Sequence, residues 1–247
     1  MTNPLYDTLF GQHQGKTTAF LEMADGTVIT HSDFLELAAR FAHVFTQIGV
    51  KPGDRVAAQI GKSPQALAVY AACVQAGIVF LPLNTAYTAD EVSYFIENSG
   101  ARVILCDGKR SETLEPIAQA TGAILETMNN DGSGSFAIKA KTMPSAFSTV
   151  DRSEDDLAAF LYTSGTTGRS KGAMLTQGNL LSNSQALVKE WEFTSDDVLL
   201  HALPIFHTHG LFVATNIALL AGNKMVFMPK FDLDTIIGQM PKATTMM

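Results

Sequence analysis

Cysteine is scarce. Only Cys73 and Cys106 occur in 247 residues, and each sits inside an apolar run. They build no disulfide framework and read as buried free thiols of a reducing, cytoplasmic setting. Positive charge is also short. The 17 Lys and Arg stand against 24 Asp and Glu, a net charge of −7, and the longest basic run is Lys109-Arg110. That argues against nucleic acid as a partner. No apolar run is long and unbroken enough to span a membrane. The uncharged stretch 63–89 is interrupted by Pro64, Gln65, Gln75, Gly77, Pro82 and Asn84, so it reads as a buried helix followed by a buried strand. The N-terminus, up to Lys16, has one basic residue and no apolar block, which excludes a secretory signal and an Arg-rich transit peptide. There is no internal repeat.

What is present is an ordinary globular composition, 46% hydrophobic and 17% charged, and a regular alternation. Thr18–Met23 and Thr27–Thr30 flank Asp25-Gly26, a hairpin signal. Ser32 is placed to cap a helix whose apolar face is Phe34, Leu37, Ala38, Phe41, Val44, Phe45 and Ile48. Strands are expected over Arg55–Ile60, Ile78–Leu81, Arg102–Cys106, Ala123–Glu126, Leu157–Leu161, Val198–Ala202, Lys224–Met228 and Ala243–Met247. Helices are expected over Pro64–Ala76, from the capping box Thr88–Glu91 to Gly100, over Ser111–Ala120, after Thr176, over His207–Leu220, and over Leu233–Met240. The polar, glycine-rich stretch Asn129–Ser135 reads as a flexible surface connection. Apolar strands alternating with helices argue for an α/β fold of mostly parallel sheets flanked by helices.

The stretch with the most chemistry is Thr163-Ser164-Gly165-Thr166-Thr167-Gly168-Arg169-Ser170-Lys171-Gly172. It follows an apolar strand. Glycines let backbone N–H groups approach an anion closely, the hydroxyls of Thr163, Ser164, Thr166, Thr167 and Ser170 add donors, and Lys171 adds a mobile point charge. This composition suits phosphate. The blander reading, a turn between strands, explains neither the length nor the lysine. The spacing is not that of a P-loop, which would also open a helix rather than a strand. Arg169 has two open readings: facing solvent, or facing a phosphate or carboxylate.

A second constellation is Leu203-Pro204-Ile205-Phe206-His207-Thr208-His209-Gly210, at a strand end, where open α/β sheets meet ligands. With His201 nearby, three histidines invite a metal reading, but no local cysteine supports it and the metal content stays unknown. His207 either caps or packs at a helix start, or lines a pocket beside Phe206.

TSGTTGRSKG resembles the phosphate-loop signature of the adenylate-forming superfamily, which includes acyl-CoA synthetases, luciferases and peptide-synthetase adenylation domains. LPIFHTHG is similar to that superfamily's LPxFHxxG motif, with His207 on the motif histidine and His209 at a variable position. The resemblance implies an ATP-dependent carboxylate–CoA ligase. Thr163–Gly172 would hold the phosphates of ATP, Lys171 and His207 would be the catalytic side chains, and Phe206, His207 and His209 would border the acyl substrate. ATP, Mg²⁺ and coenzyme A would be required, with a small carboxylate as substrate. No carboxylate side chain lies in Phe206–His209, which disfavours an amino-acid substrate. Ser170 before Lys171, where many relatives have proline, together with the stretch His201–Asn216, resembles the malonyl-CoA synthetase branch.

The resemblance covers essentially the whole chain as the N-terminal part of the larger domain. It implies a first α/β subdomain over roughly 1–190 and the start of a second over roughly 191–247. A magnesium-binding glutamate, adenosine contacts and a C-terminal lid domain would lie beyond Met247, so the chain alone is expected to be inactive. Three alternatives stay open: a synthetase for a fatty or aromatic monocarboxylic acid, a non-catalytic ATP-binding module, and a P-loop hydrolase. Oligomeric state is not legible.

Overall fold

The structure is a computed structural model that describes residues 2–163 and 170–247. The chain begins with a short helix, α1 (Pro4–Leu9), with Pro4 in its first turn. Asn3 accepts from the Tyr6 amide at its start. The Asn3 side chain also donates to the Val74 and Val150 carbonyls, so this cap doubles as a tertiary tie. The hairpin follows as β1 (Ala19–Met23) and β2 (Val28–Thr30). Helix α2 (His31–Gln47) is capped by Thr30, not by Ser32. Thr30 accepts from the Asp33 amide while the Asp33 carboxylate accepts from the Thr30 amide, a reciprocal box that Ser32, one turn position too late, could not close.

Next come β3 (Arg55–Gln59), α3 (Pro64–Gln75), β4 (Val79–Pro82) and α4 (Ala89–Ser99) with its Thr88–Glu91 box, then β5 (Val103–Cys106), α5 (Ser111–Thr121) and β6 (Ile124–Thr127). Asn129–Ser133 forms a hydrogen-bonded turn, with Asn129 donating to the Ser133 carbonyl and accepting from the Gly108 amide. It leads into α6 (Ser135–Ala140), a short helix the periodicity does not announce. The chain then runs through β7 (Leu157–Thr163), β8 (Lys171–Thr176), α7 (Gln177–Glu190) and β9 (Val198–His201). A π-helical segment, His209–Thr215, passes directly into α8 (Asn216–Ala221), and β10 (Lys224–Phe227), α9 (Leu233–Gln239) and β11 (Thr245–Met246) complete it.

The strands make two sheets. One has the order β6-β5-β3-β4-β7-β8 and the other β11-β9-β10-β1-β2. All neighbours are parallel except β7–β8 and β1–β2. The first hairpin therefore belongs to the sheet that residues 198–246 build. The main core runs unbroken between the sheets through α1, α2, α3 and α8, including Phe20, Phe34, Phe45, Tyr70, Phe212 and Phe227. Helix α3 is buried nearly all round, as its uncharged sequence requires. Each fully buried Phe or Leu there contributes about 1.5–3 kcal/mol. Helices α4 and α5 cover the outer face of the six-stranded sheet, and Ile236 of α9 packs on the outer face of the other.

Candidate active site

The residues that flank the glycine-rich loop are held by α4. Thr163 and Lys171 are paired across β7 and β8. On the entry side, the Tyr162 ring stacks on Phe95 at 4.2 Å and its hydroxyl donates to Asn98 Oδ1 at 2.7 Å. On the exit side, the Tyr94 hydroxyl donates to the Ser170 carbonyl. Lys171 is exposed, and among the described residues no carboxylate pairs with it. Gly172 answers a packing demand: a Cβ there would meet the Phe160 ring at 2.0 Å. Ser164, Gly165, Thr166, Thr167, Gly168 and Arg169 lie outside the described residues.

Thr163 and the histidine segment meet. A cavity of about 280 Å³ is lined by Thr163 and Tyr162 from the end of β7, by Asn84 beyond β4, and by Phe206, His207 and Thr208. These are carboxyl ends of parallel strands, where open α/β sheets place ligands. The Phe206 and His207 rings lie 4.6 Å apart. Phe206 also faces a second cavity, of about 390 Å³, whose wall includes Lys62, Thr85, Asn130 and Lys230. His209 is exposed and lines neither cavity; it is the first residue of the π-helical segment.

The segment 203–210 is shaped by His201, which is fully buried. Its Nε2 lies 2.7 Å from the Gly210 carbonyl. A carbonyl only accepts, so Nε2 carries the proton and Nδ1 is the acceptor. Lys62 Nζ donates to that Nδ1 and to the His201 carbonyl, both at 2.9 Å. The Thr215 hydroxyl donates to Gly210 as well. Gly210 must be glycine: a Cβ would fall 2.1 Å from the Pro204 carbonyl oxygen. Burial pushes the Lys62 amine down to about 6. Burial, then the proximity of Lys62, pushes the His201 imidazole down to about 3. Lys62 was not singled out from the sequence. In Gly61-Lys62-Ser63, just ahead of a helix, a lysine looks like a solvated turn residue. The signal that could have found it is its place directly after a strand of the parallel sheet.

The family model of the AMP-binding enzymes matches residues 10–246. The chain belongs to the AMP-binding enzyme family. The feruloyl-CoA synthase of an Amycolatopsis species is 34% identical over 212 residues, covering 86% of this chain and 41% of the relative. The malonate–CoA ligase of Arabidopsis thaliana is 34% identical over 163 residues, covering 65% of this chain and 27% of the relative. The crystal structure of apo MatB from Rhodopseudomonas palustris superposes with a TM-score of 0.96 at 49% identity, over 100% of this chain and 49% of that one. An ATP-bound crystal structure of MatB matches equally well. The chain thus spans half or less of the length of these relatives. Its α/β architecture, with mostly parallel sheets flanked by helices, is that of the N-terminal part of such enzymes.

Among the described residues no group of three or more His, Cys, Asp or Glu side chains gathers as a metal site. No helix among them is long and apolar enough to cross a membrane.

Proposed function

We propose that this chain forms the nucleotide- and acyl-binding part of an AMP-forming acid–thiol ligase, an acyl-CoA synthetase whose carboxylate is malonate. In the first step a carboxylate oxygen attacks the α-phosphorus of ATP and pyrophosphate leaves. In the second, the thiol of coenzyme A attacks the acyl carbon of the adenylate and AMP leaves. The observation that carries this reading is the shared cavity: Thr163, at the mouth of the phosphate loop, and Phe206–His207 face the same 280 Å³ space. A carboxylate seated by His207 would stand beside the phosphates held by Thr163–Gly172.

The chain's own contribution to the first step is positioning and charge neutralisation, because a carboxylate is already a nucleophile. Lys171, exposed and without a carboxylate partner among the described residues, is free to follow the pyrophosphate oxygens. The Thr163 hydroxyl and the backbone of the loop supply neutral donors. Mg²⁺, when bound, would help neutralise the charge of the phosphates. The stretches 1–190 and 191–247 are read as one subdomain and the start of another, with the hairpin β1–β2 lent to the sheet of the second, and the setting as the cytoplasm.

Malonate is favoured by the likeness to the Arabidopsis malonate–CoA ligase and by Ser170 before Lys171 together with the stretch His201–Asn216, while the missing carboxylate in Phe206–His209 disfavours an amino acid. The likeness to a feruloyl-CoA synthase favours a second reading, an aromatic or fatty monocarboxylic acid. The test is carboxylate-dependent ATP–pyrophosphate exchange by the complete protein carrying this chain, with malonate, methylmalonate, acetate and octanoate. Malonate should support the fastest exchange. Equal rates with acetate or octanoate overturn the malonate reading, and no exchange with any acid overturns the ligase reading.

A further inference from the structure

The 390 Å³ cavity and the 280 Å³ cavity share one wall, Phe206. What fixes that wall is a chain of hydrogen bonds that starts in the other sheet. Lys62 stands just beyond β3 of the six-stranded sheet. His201 ends β9 of the five-stranded one. Both donations of the lysine, to Nδ1 and to the backbone carbonyl, go to this single histidine. Its amine also lies 4.5 Å from the centre of the Phe227 ring on β10. Among the described residues no carboxylate pairs with Lys62. Partly buried and without a counter-charge, this amine serves as a hydrogen-bond donor to His201 rather than as a solvated charge.

The arrangement has one clear output. Donation to Nδ1 locks the imidazole in the tautomer whose Nε2–H can reach the Gly210 carbonyl. The Gly210 backbone in turn is packed against Pro204, so closely that a Cβ on it would fall 2.1 Å from the Pro204 carbonyl oxygen. Between Pro204 and Gly210 lie Phe206 and His207. We propose that Lys62 is a positioning residue for the acyl-binding segment: through His201 it clamps Gly210, closes the loop 203–210, and sets where Phe206 and His207 stand against the 280 Å³ cavity. This rests on the ligase reading above. In this role Lys62 acts through His201.

The test has two arms. In the first, Lys62→Met, His201→Leu and the double variant are assayed by the exchange reaction in the complete protein. Met keeps the apolar stem and removes the donor. Lys62→Met should raise the KM for the carboxylate on the order of tenfold and leave the KM for ATP within about twofold, because the phosphate-loop stems are held by α4 instead. Added to His201→Leu, it should cost nothing further, since the two act as one unit. An equal rise in both KM values, or fully additive losses, overturns the proposal. The second arm needs no variant. Nitrogen-15 NMR of the wild-type imidazoles should show His201 protonated on Nε2, and protonation on Nδ1 overturns the clamp. Failure of the wild type to exchange with any acid removes the ligase reading and this role with it, whereas a normal wild type with an unaffected Lys62→Met removes this role alone.

Discussion

The Tyr94 hydroxyl donates to the Ser170 carbonyl across 3.0 Å, which ties helix α4 to the residue immediately before Lys171. With Tyr162 held by Asn98 and Phe95, both stems of the phosphate loop lean on the same helix. Tyr94→Phe removes one donor and little packing. It should lower stability by about 1 kcal/mol and raise the KM for ATP severalfold, with the carboxylate KM unchanged. Steady-state kinetics beside a thermal melt check this. An unchanged KM for ATP means the helix braces the strands but not the chemistry.

Lys171 is exposed and contributes no core packing. Lys171→Met should therefore melt like the wild type, while pyrophosphate exchange falls on the order of 10²-fold, the scale of losing one preorganised contact to developing charge. A variant that unfolds, yet retains normal kinetics in its soluble fraction, would show the lysine to be structural.

Gly210 has no room for a side chain. Gly210→Ala puts a Cβ against the Pro204 carbonyl oxygen, so the loop 203–210 must open. Overpacking of this kind costs about 1–3 kcal/mol. The expected signature is a lower denaturation midpoint together with a raised carboxylate KM. Gly238→Ala, inside α9 where a Cβ meets nothing within 4 Å, serves as the control: its midpoint should hold or rise and its carboxylate KM should not change.

A buried histidine pair sets an acid limit on stability. The His31 ring stacks on His13 at 4.1 Å and on Phe20 at 4.8 Å. Burial, then the neighbouring His13 and Lys16, pushes His31 down to about 3, from an ordinary 6.5. Burial also lowers His13, against the opposing bond to the Leu219 carbonyl. The folded state thus refuses protons that the unfolded chain accepts below pH 6.5. Stability from this pair is complete above that pH and drains away as pH falls toward 3. Urea midpoints should already drop between pH 6.5 and 5, before most carboxylates titrate. His31→Phe should lessen that slope, leaving the part that buried His201 contributes. An identical slope in the variant would place the acid sensitivity elsewhere.

Much of this fold is written in local patterns. The boxes at Thr88 and Thr176 and the glycine stops at Gly100, Gly122 and Gly222 are chemical signals that need no tertiary context. The π-helical start at His209 is different. The periodicity of His207–Leu220 suits an α-helix, and only the pull of His201 and Thr215 on the Gly210 carbonyl distinguishes the first turns. Helices α1 and α6, of six residues each, are too short to show an apolar period. At the site, loop and histidine segment were legible because each concentrates unusual residue types. Lys62 and Tyr94 were not, since a single lysine in a turn and a tyrosine on an amphipathic helix look ordinary until the partner, more than seventy residues away in both cases, is known.

The pairing of β1 with β10 carries a consequence for how the chain is made. Leu21 lies beside Met225, so β1 waits for about two hundred further residues before its parallel neighbour exists. At roughly 5–20 residues per second that is about 10–40 s. Through that interval the hairpin shows an open edge to every other nascent chain. The six-stranded sheet, whose strands all lie between residues 55 and 176, has its full complement earlier. Synthesis thus imposes an order that the finished molecule conceals: the six-stranded sheet can set before β1 meets β10.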